Sequence, residues 1–198
     1  MTGLIEYDRT LVGYHGTRRS AALRIVQGLE PFTPSDNDDD WLGHGIYFWE
    51  HGPRQARAWA RRRSRQQDWG EDVAVLAALI RLRSCFDLFD PPNVRDLEGY
   101  HAEFCQLEAT AGRPLPVNVR NHKRLDCAVF EFAYSLIESR TGEPVDSSRA
   151  MYVPTGQDRR VWPHSWIARG AHIQICVRNR ACILGAWLVP STGEEDES

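Results

Sequence analysis

Two groups of strand-length apolar segments, separated by a helical stretch from residue 93 to about 140, constrain what this chain can fold into. The first group holds Leu11-Val12-Gly13-Tyr14-His15, Ile46-Tyr47-Phe48-Trp49 and the near-continuous apolar runs 73–82 and 85–89; the second holds 150–153, 172–177 and 183–189. Runs of this kind, bounded by glycine, proline or charge, read as strands buried in a sheet. Between the groups, Leu97, Tyr100, Phe104 and Leu107, then Val129, Phe130, Phe132, Ala133, Leu136 and Ile137, recur at the helical period. A shorter helix is expected at 20–29, where Ala22, Leu23, Ile25, Val26 and Leu29 are helically spaced and Gly28 and Pro31 mark the stop. Another is expected to start at Pro53 and end in Arg61-Arg62-Arg63-Ser64-Arg65. Pro91 and Pro92 are expected to close the first strand group. Strands, a helical block and strands again make an α+β plan on a largely antiparallel sheet.

The chain has 198 residues, 42% of them hydrophobic and 10% aromatic, enough for one domain with its own core. Residues 1–190 are therefore expected to form a single domain, with the helical segment at about 93–145 inserted into it. The acidic stretch Glu194-Glu195-Asp196-Glu197-Ser198 is expected to lie in a disordered tail at 191–198. A net charge of -3 argues against a protein that coats polyanions, yet permits a local basic face. No apolar run approaches the roughly 18 residues that span a bilayer. The first eight residues lack the basic and apolar regions of a secretory signal. Five cysteines without a C-x-x-C pair read as small buried hydrophobes in a reducing compartment, so a cytoplasmic location without membrane contact is expected. His and Cys are nowhere spaced as a ligand set, and no metal site is expected.

The residues with most chemistry sit at two strand ends. His15-Gly16-Thr17 lies at the end of the first strand, and Leu42-Gly43-His44-Gly45 leads into the second, which carries Tyr47. Glycine beside a functional side chain lets a ligand approach the backbone closely, because no Cβ intervenes. Brought to one cleft, the ring of Tyr47 would stack on a flat ligand while a nitrogen of His15 donates to a hydroxyl. A buried histidine and a core tyrosine on adjacent strands are the purely structural alternative. The polar loop 33–40, with Asp36, Asp38, Asp39 and Asp40, reads either as a solvated loop or as a flap over a ligand. The arginines from Arg54 onward either end a solvated helix, where they favour the macrodipole, or contact phosphates. Trp59, Trp162, Trp166 and Trp187 are expected in core or lid packing, His44 on an exposed loop, and His164 and His172 in structural roles.

Tyr14-His15-Gly16-Thr17, then Ile25-Val26-Gln27-Gly28-Leu29, then Leu42-Gly43-His44-Gly45-Ile46-Tyr47-Phe48, resembles the diphtheria-toxin-like ADP-ribosyltransferases, the superfamily that includes the poly(ADP-ribose) polymerases. A late strand with a glutamate, then a short final strand, complete that pattern. His172-Ile173-Gln174-Ile175-Cys176-Val177 followed by 183–189 has that shape, with Gln174 where the family's glutamate would stand, an H-Y-Q variant. The resemblance covers residues 11–60 and 171–190. It implies a split antiparallel β-sheet core with an inserted helical segment, and NAD+ as co-substrate.

Carried over residue by residue, it implies that His15 donates to a hydroxyl of the adenine-side ribose and that the backbone of Gly16 holds the nicotinamide carboxamide. Tyr47 would stack on the nicotinamide ring and Gln174 would bond its ribose, with Thr17 and Gly45 completing the binding set. A neutral amide cannot act as a base or offset a full positive charge. The resemblance therefore implies transfer of a single ADP-ribose rather than chain growth, or another carboxylate in the acidic role, for which Glu50, Asp40 and Glu131 are the candidates. The acceptor would be a macromolecule, either a protein side chain or an RNA or DNA base. A compact free-standing transferase suggests a toxin or defence effector, and leaves an inhibitory partner protein open. Two other readings stand beside this one: an NAD glycohydrolase, and a module that only binds NAD or ADP-ribose.

Overall fold

A computed structural model of the chain describes residues 9–38, 40–119, 122–154 and 159–190. Asp39 and the acidic tail at 191–198 lie outside the described residues. Nine strands and four helices follow one another among them. β1 (Thr10–Arg18) runs directly into α1 (Arg19–Val26), and β2 (Ile46–Glu50) is followed by α2 (Pro53–Gln67), then by β3 (Val73–Arg81) and β4 (Cys85–Asp87). The helical block consists of α3 (Pro91–Thr110) and α4 (Arg124–Thr141), joined through the small hairpin of β5 (Asn118–Val119) and β6 (His122–Lys123). β7 (Ser147–Tyr152), β8 (His172–Val177) and β9 (Ile183–Leu188) complete the chain.

Pro91 and Pro92 open α3 instead of closing the strands. A proline lacks an N–H that the first helical turn could not pair in any case, and its fixed φ suits that turn. Of the other expected elements, β8 has the expected ends, the remaining strands and helices have one or both ends shifted, and the helical block is divided by the β5 and β6 hairpin.

Seven strands form one sheet in the order β4-β7-β8-β2-β1-β3-β9, every neighbouring pair antiparallel except β4 and β7. The α+β plan on a largely antiparallel sheet is thus what the chain adopts. β1 pairs β3 along its whole length, from Thr10 opposite Arg81 to Arg18 opposite Val73. Its pairing with β2 covers only Gly13 with Glu50 and Tyr14 with Trp49. β2 instead stays with β8, from Ile46 opposite Val177 to Trp49 opposite Gln174. The sheet therefore divides beyond Tyr14, one half carried by β1 and the other by β2.

Side-chain alternation assigns the faces. Leu11, Phe48, Leu76, Ala78, Ile80 and Ile175 fill the main core on one face, which α1 also covers through Ala22. On the other face Trp49, Ala56 and Val75 pack beneath α2. The helical block is more than an appendage. Phe130, Tyr134 and Ile137 of α4 share a second core with Leu42, Phe86, Val145 and Cys176, and so fasten the loop before β2 to the sheet.

Gly16 is where β1 meets α2. A Cβ there would fall inside the envelope of the Ala56 carbonyl oxygen and 2.9 Å from the Ala60 methyl. Gly16→Ala is expected to cost about 3 kcal/mol of stability by overpacking, read by urea unfolding. An unchanged midpoint would mean that strand and helix do not approach so closely.

Candidate functional site

A cleft of about 340 Å³ opens where β1 and β2 part, within the size range of small-molecule sites. His15, Tyr47 and Gln174, from β1, β2 and β8, all line it. The rim is the loop before β2, through Thr33, Ser35, Asn37, Asp40, Trp41 and Gly45; α2 adds Trp59 and Arg63. Of the six residues expected to bind the co-substrate, four line the cleft, while Gly16 and Thr17 are not among its lining residues.

His15 occupies the gap between the diverging strands. Its Nδ1 is 2.9 Å from the carbonyl oxygen of Tyr47, and its ring stands edge-on to Phe32 at 5.5 Å. A carbonyl only accepts, so Nδ1 carries the proton and Nε2 the lone pair. Burial holds the imidazole below its ordinary range, opposed in part by the Tyr47 carbonyl, and the ring is neutral at pH 7. Toward a ligand hydroxyl the free nitrogen is consequently an acceptor, not the donor expected from sequence.

Tyr47 does two things. Its ring forms part of the cleft wall, and its hydroxyl fastens the rim. The phenol donates to the Gly43 carbonyl at 2.7 Å and accepts from the Leu42 N–H at 2.9 Å. Burial pushes its pKa far above that of free tyrosine, which removes it as a base at physiological pH. The rim is pinned elsewhere too. Ser35 and Gly45 exchange backbone hydrogen bonds at 2.8 and 3.0 Å, and Tyr134 donates to the Leu42 carbonyl at 2.6 Å. Glu131 accepts from the His44 N–H at 2.7 Å and pairs with Arg178 at 2.9 Å. Residues 41–45 are thus held as a wall of the cleft, while Asp36 and Asp38 in the stretch before them are exposed to solvent, as the solvated-loop reading expects. Glycine is required at Gly43, where φ is +76° and a Cβ would lie 2.5 Å from Glu131 Oε1.

Gln174 accepts from the Trp41 indole N–H at 2.5 Å. An indole can only donate, so the amide oxygen faces Trp41 and the NH2 group supplies the donors. Trp41 is a residue of the cleft wall that sequence reasoning did not single out. Its partner lies 133 residues away, and no local pattern reports such a contact.

The three carboxylates weighed for the acidic role separate cleanly. Glu50 is buried in an ion pair with Arg149, Oε2 to Nε 2.5 Å and Oε1 to Nη2 3.0 Å, and Arg149 reaches on to Asp87 at 3.2 Å. Glu131 ties α4 to the rim. Asp40 alone of the three lines the cleft, with Oδ2 accepting from the Asn37 N–H at 3.0 Å.

No family model matches the chain, and no solved structure matches it. A 47-residue stretch is 45% identical to the uncharacterized protein MJ0359 of Methanocaldococcus jannaschii. It covers 24% of this chain and spans about a fifth (21%) of that protein's length.

Other expectations meet the structure unevenly. Trp59 lines the cleft, but Trp162, Trp166 and Trp187 are exposed and belong to no core. His172 stacks on Tyr152 at 5.0 Å and gives Nδ1–H to the Gly170 carbonyl at 2.7 Å. Its Nε2 is buried without a hydrogen-bond partner among the described residues. Cys85, Cys127, Cys176 and Cys182 are buried free thiols; burial pushes Cys85, Cys127 and Cys182 up to about 12, so none of those three is a thiolate nucleophile at pH 7. Among the described residues no helix is long and apolar enough to cross a membrane, and no group of three or more His, Cys, Asp or Glu could hold a metal ion.

Proposed function

We propose that the protein is a mono-ADP-ribosyltransferase that cleaves NAD+ and transfers ADP-ribose to a macromolecular acceptor. The observation that carries this reading is the convergence of His15, Tyr47 and Gln174, from three strands, on the cleft where the sheet divides. In this reading the Tyr47 ring supports the nicotinamide, His15 Nε2 accepts from a ribose hydroxyl, and the Gln174 NH2 donates to the sugar. As the bond between nicotinamide and C1′ of the ribose breaks, its electron pair leaves on the ring nitrogen. Positive charge then gathers on the sugar, where a fixed carboxylate is worth most. Asp40 supplies that charge from the rim. The acceptor's lone pair forms the new bond to C1′, and the proton it sheds passes to Asp40 or to water. Gln174, an amide, only positions.

Incubation with nicotinamide-labelled and adenine-labelled NAD+ tests the reading. Nicotinamide is released, and the adenine label becomes attached to macromolecules. Asp40→Asn is expected to lower nicotinamide release about a hundredfold, the scale of losing one preorganised electrostatic group. Gln174→Glu keeps the Trp41 hydrogen bond and is expected to retain activity or raise it. Full activity in Asp40→Asn would remove Asp40 from the chemistry, and NAD+ bound without any nicotinamide release would leave a binding module. The same carboxylate could orient water, so the glycohydrolase reading stays alongside; free ADP-ribose as the sole product would establish it.

A further inference from the structure

The charge of this chain is divided unevenly. α2 carries six arginines and no carboxylate, and residues 159–171, between β7 and β8, carry three more arginines and again no carboxylate. Those two segments hold nine of the 24 lysines and arginines, so the remainder carries 15 cations against 27 carboxylates. Evenly mixed charge needs no partner; two carboxylate-free cationic segments within an acidic protein point to an anionic one.

The two segments are joined by aromatic rings. Trp59 of α2 lies 5.7 Å from Trp49, which lies 6.3 Å from His172. The row continues through Tyr152 at 5.0 Å to Trp41 at 5.7 Å, and Trp41 is bonded to Gln174. Tyr152 and His172 form the last register pair of β7 and β8, so the 159–171 segment springs from the row itself. That segment is folded back by paired backbone bonds, Val161 N–H to the Ile167 carbonyl and Arg169 N–H to the Arg159 carbonyl. It holds Trp166 94% exposed and Trp162 60% exposed. Two tryptophans left in water beside arginines fit a partner that offers both flat apolar faces and negative charge.

We infer that α2 and the 159–171 segment form a docking surface for single-stranded nucleic acid, which delivers one of its bases as the acceptor to the cleft at Gln174. Trp162 and Trp166 stack on unpaired bases, and the arginines of both segments track the phosphates. A duplex hides its base faces and is a poorer fit. The docking surface stands on its own observations; the acceptor role rests on the transferase reading.

The test is fluorescence anisotropy of a labelled mixed-sequence 15-nucleotide single strand, RNA and DNA in parallel, with the corresponding duplexes and polyglutamate as competitors. The single strand is expected to bind more tightly than the duplex, with log K falling as log salt rises by about 0.7 per phosphate neutralised. The double variant Trp162→Ala, Trp166→Ala should bind about tenfold or more weakly with its thermal melting unchanged. Arg62→Gln with Arg65→Gln should flatten the salt slope. Both variants keep wild-type nicotinamide release into water. Wild-type affinity in both variants, equal binding of duplex, or displacement by polyglutamate at equal charge would overturn the surface. Nicotinamide release with no oligonucleotide binding overturns this inference and leaves the transferase reading standing. Oligonucleotide binding with no nicotinamide release overturns the transferase reading and the acceptor role with it, and leaves the docking surface standing.

Discussion

Tyr47→Ala is expected to slow nicotinamide release from NAD+ by about a hundredfold, the cost of misplacing a bound reactant by about an ångström. The substitution removes the ring that walls the cleft and, with it, the hydroxyl that fixes the Leu42–Gly43 backbone. Tyr47→Phe separates these contributions. The ring survives, but the N–H of fully buried Leu42 loses its acceptor, which costs about 1–3 kcal/mol for an orphaned buried group. The phenylalanine variant should therefore melt earlier yet lose far less activity than the alanine variant. Nicotinamide release measured alongside thermal melting checks both. Equal activity of the two variants would show that the hydroxyl, through the rim, and not the ring, carries the effect. Full activity of the alanine variant would remove Tyr47 from the site.

Arg149→Met is expected to destabilise the protein by about 3–5 kcal/mol, the range for removing one partner of a buried ion pair. Its guanidinium sits between Glu50 and Asp87, both nearly buried, and lies 4.3 Å from the centre of the Phe89 ring. Methionine fills part of the volume but leaves Glu50 without its countercharge and Asp87 with only the half-exposed Arg9, 3.6 Å away. The triple change Arg149→Met, Glu50→Gln, Asp87→Asn should recover much of the loss, because no buried charge remains. Urea unfolding of the single and triple variants reads the difference. An unaltered midpoint for Arg149→Met would mean that Glu50 and Asp87 are solvated. Together with the position of Glu50 outside the cleft, this assigns Glu50 to architecture.

How far the sequence carried depended on where each residue finds its partners. β8 was legible at both ends because its buried residues and the following polar residues mark the span locally. β7 was read from residue 150, yet it starts at Ser147. Ser147-Ser148-Arg149 looks like a loop until its partners are known: Ser147 donates to the Leu82 carbonyl, the Ser148 hydroxyl donates to the phenol oxygen of Tyr134, whose own proton goes to Leu42, and Arg149 meets its two carboxylates. Polar residues satisfied from across the molecule are buried, and no window of sequence reports that. The prolines that open α3 misled for the opposite reason, since the same residue that ends a strand suits the first turn of a helix.

By itself the sequence determined the succession of strands and helices, and put His15, Tyr47 and Gln174 on strands, because backbone periodicity is a property of neighbours. The tertiary structure alone decided that β1 and β2 part company after two residue pairs, which nitrogen of His15 keeps its proton, that Gln174 turns its oxygen toward Trp41, and which of three carboxylates faces the cleft. Each of these is fixed by a contact between residues remote in the chain, whose energy depends on distance and burial rather than on spacing along the sequence.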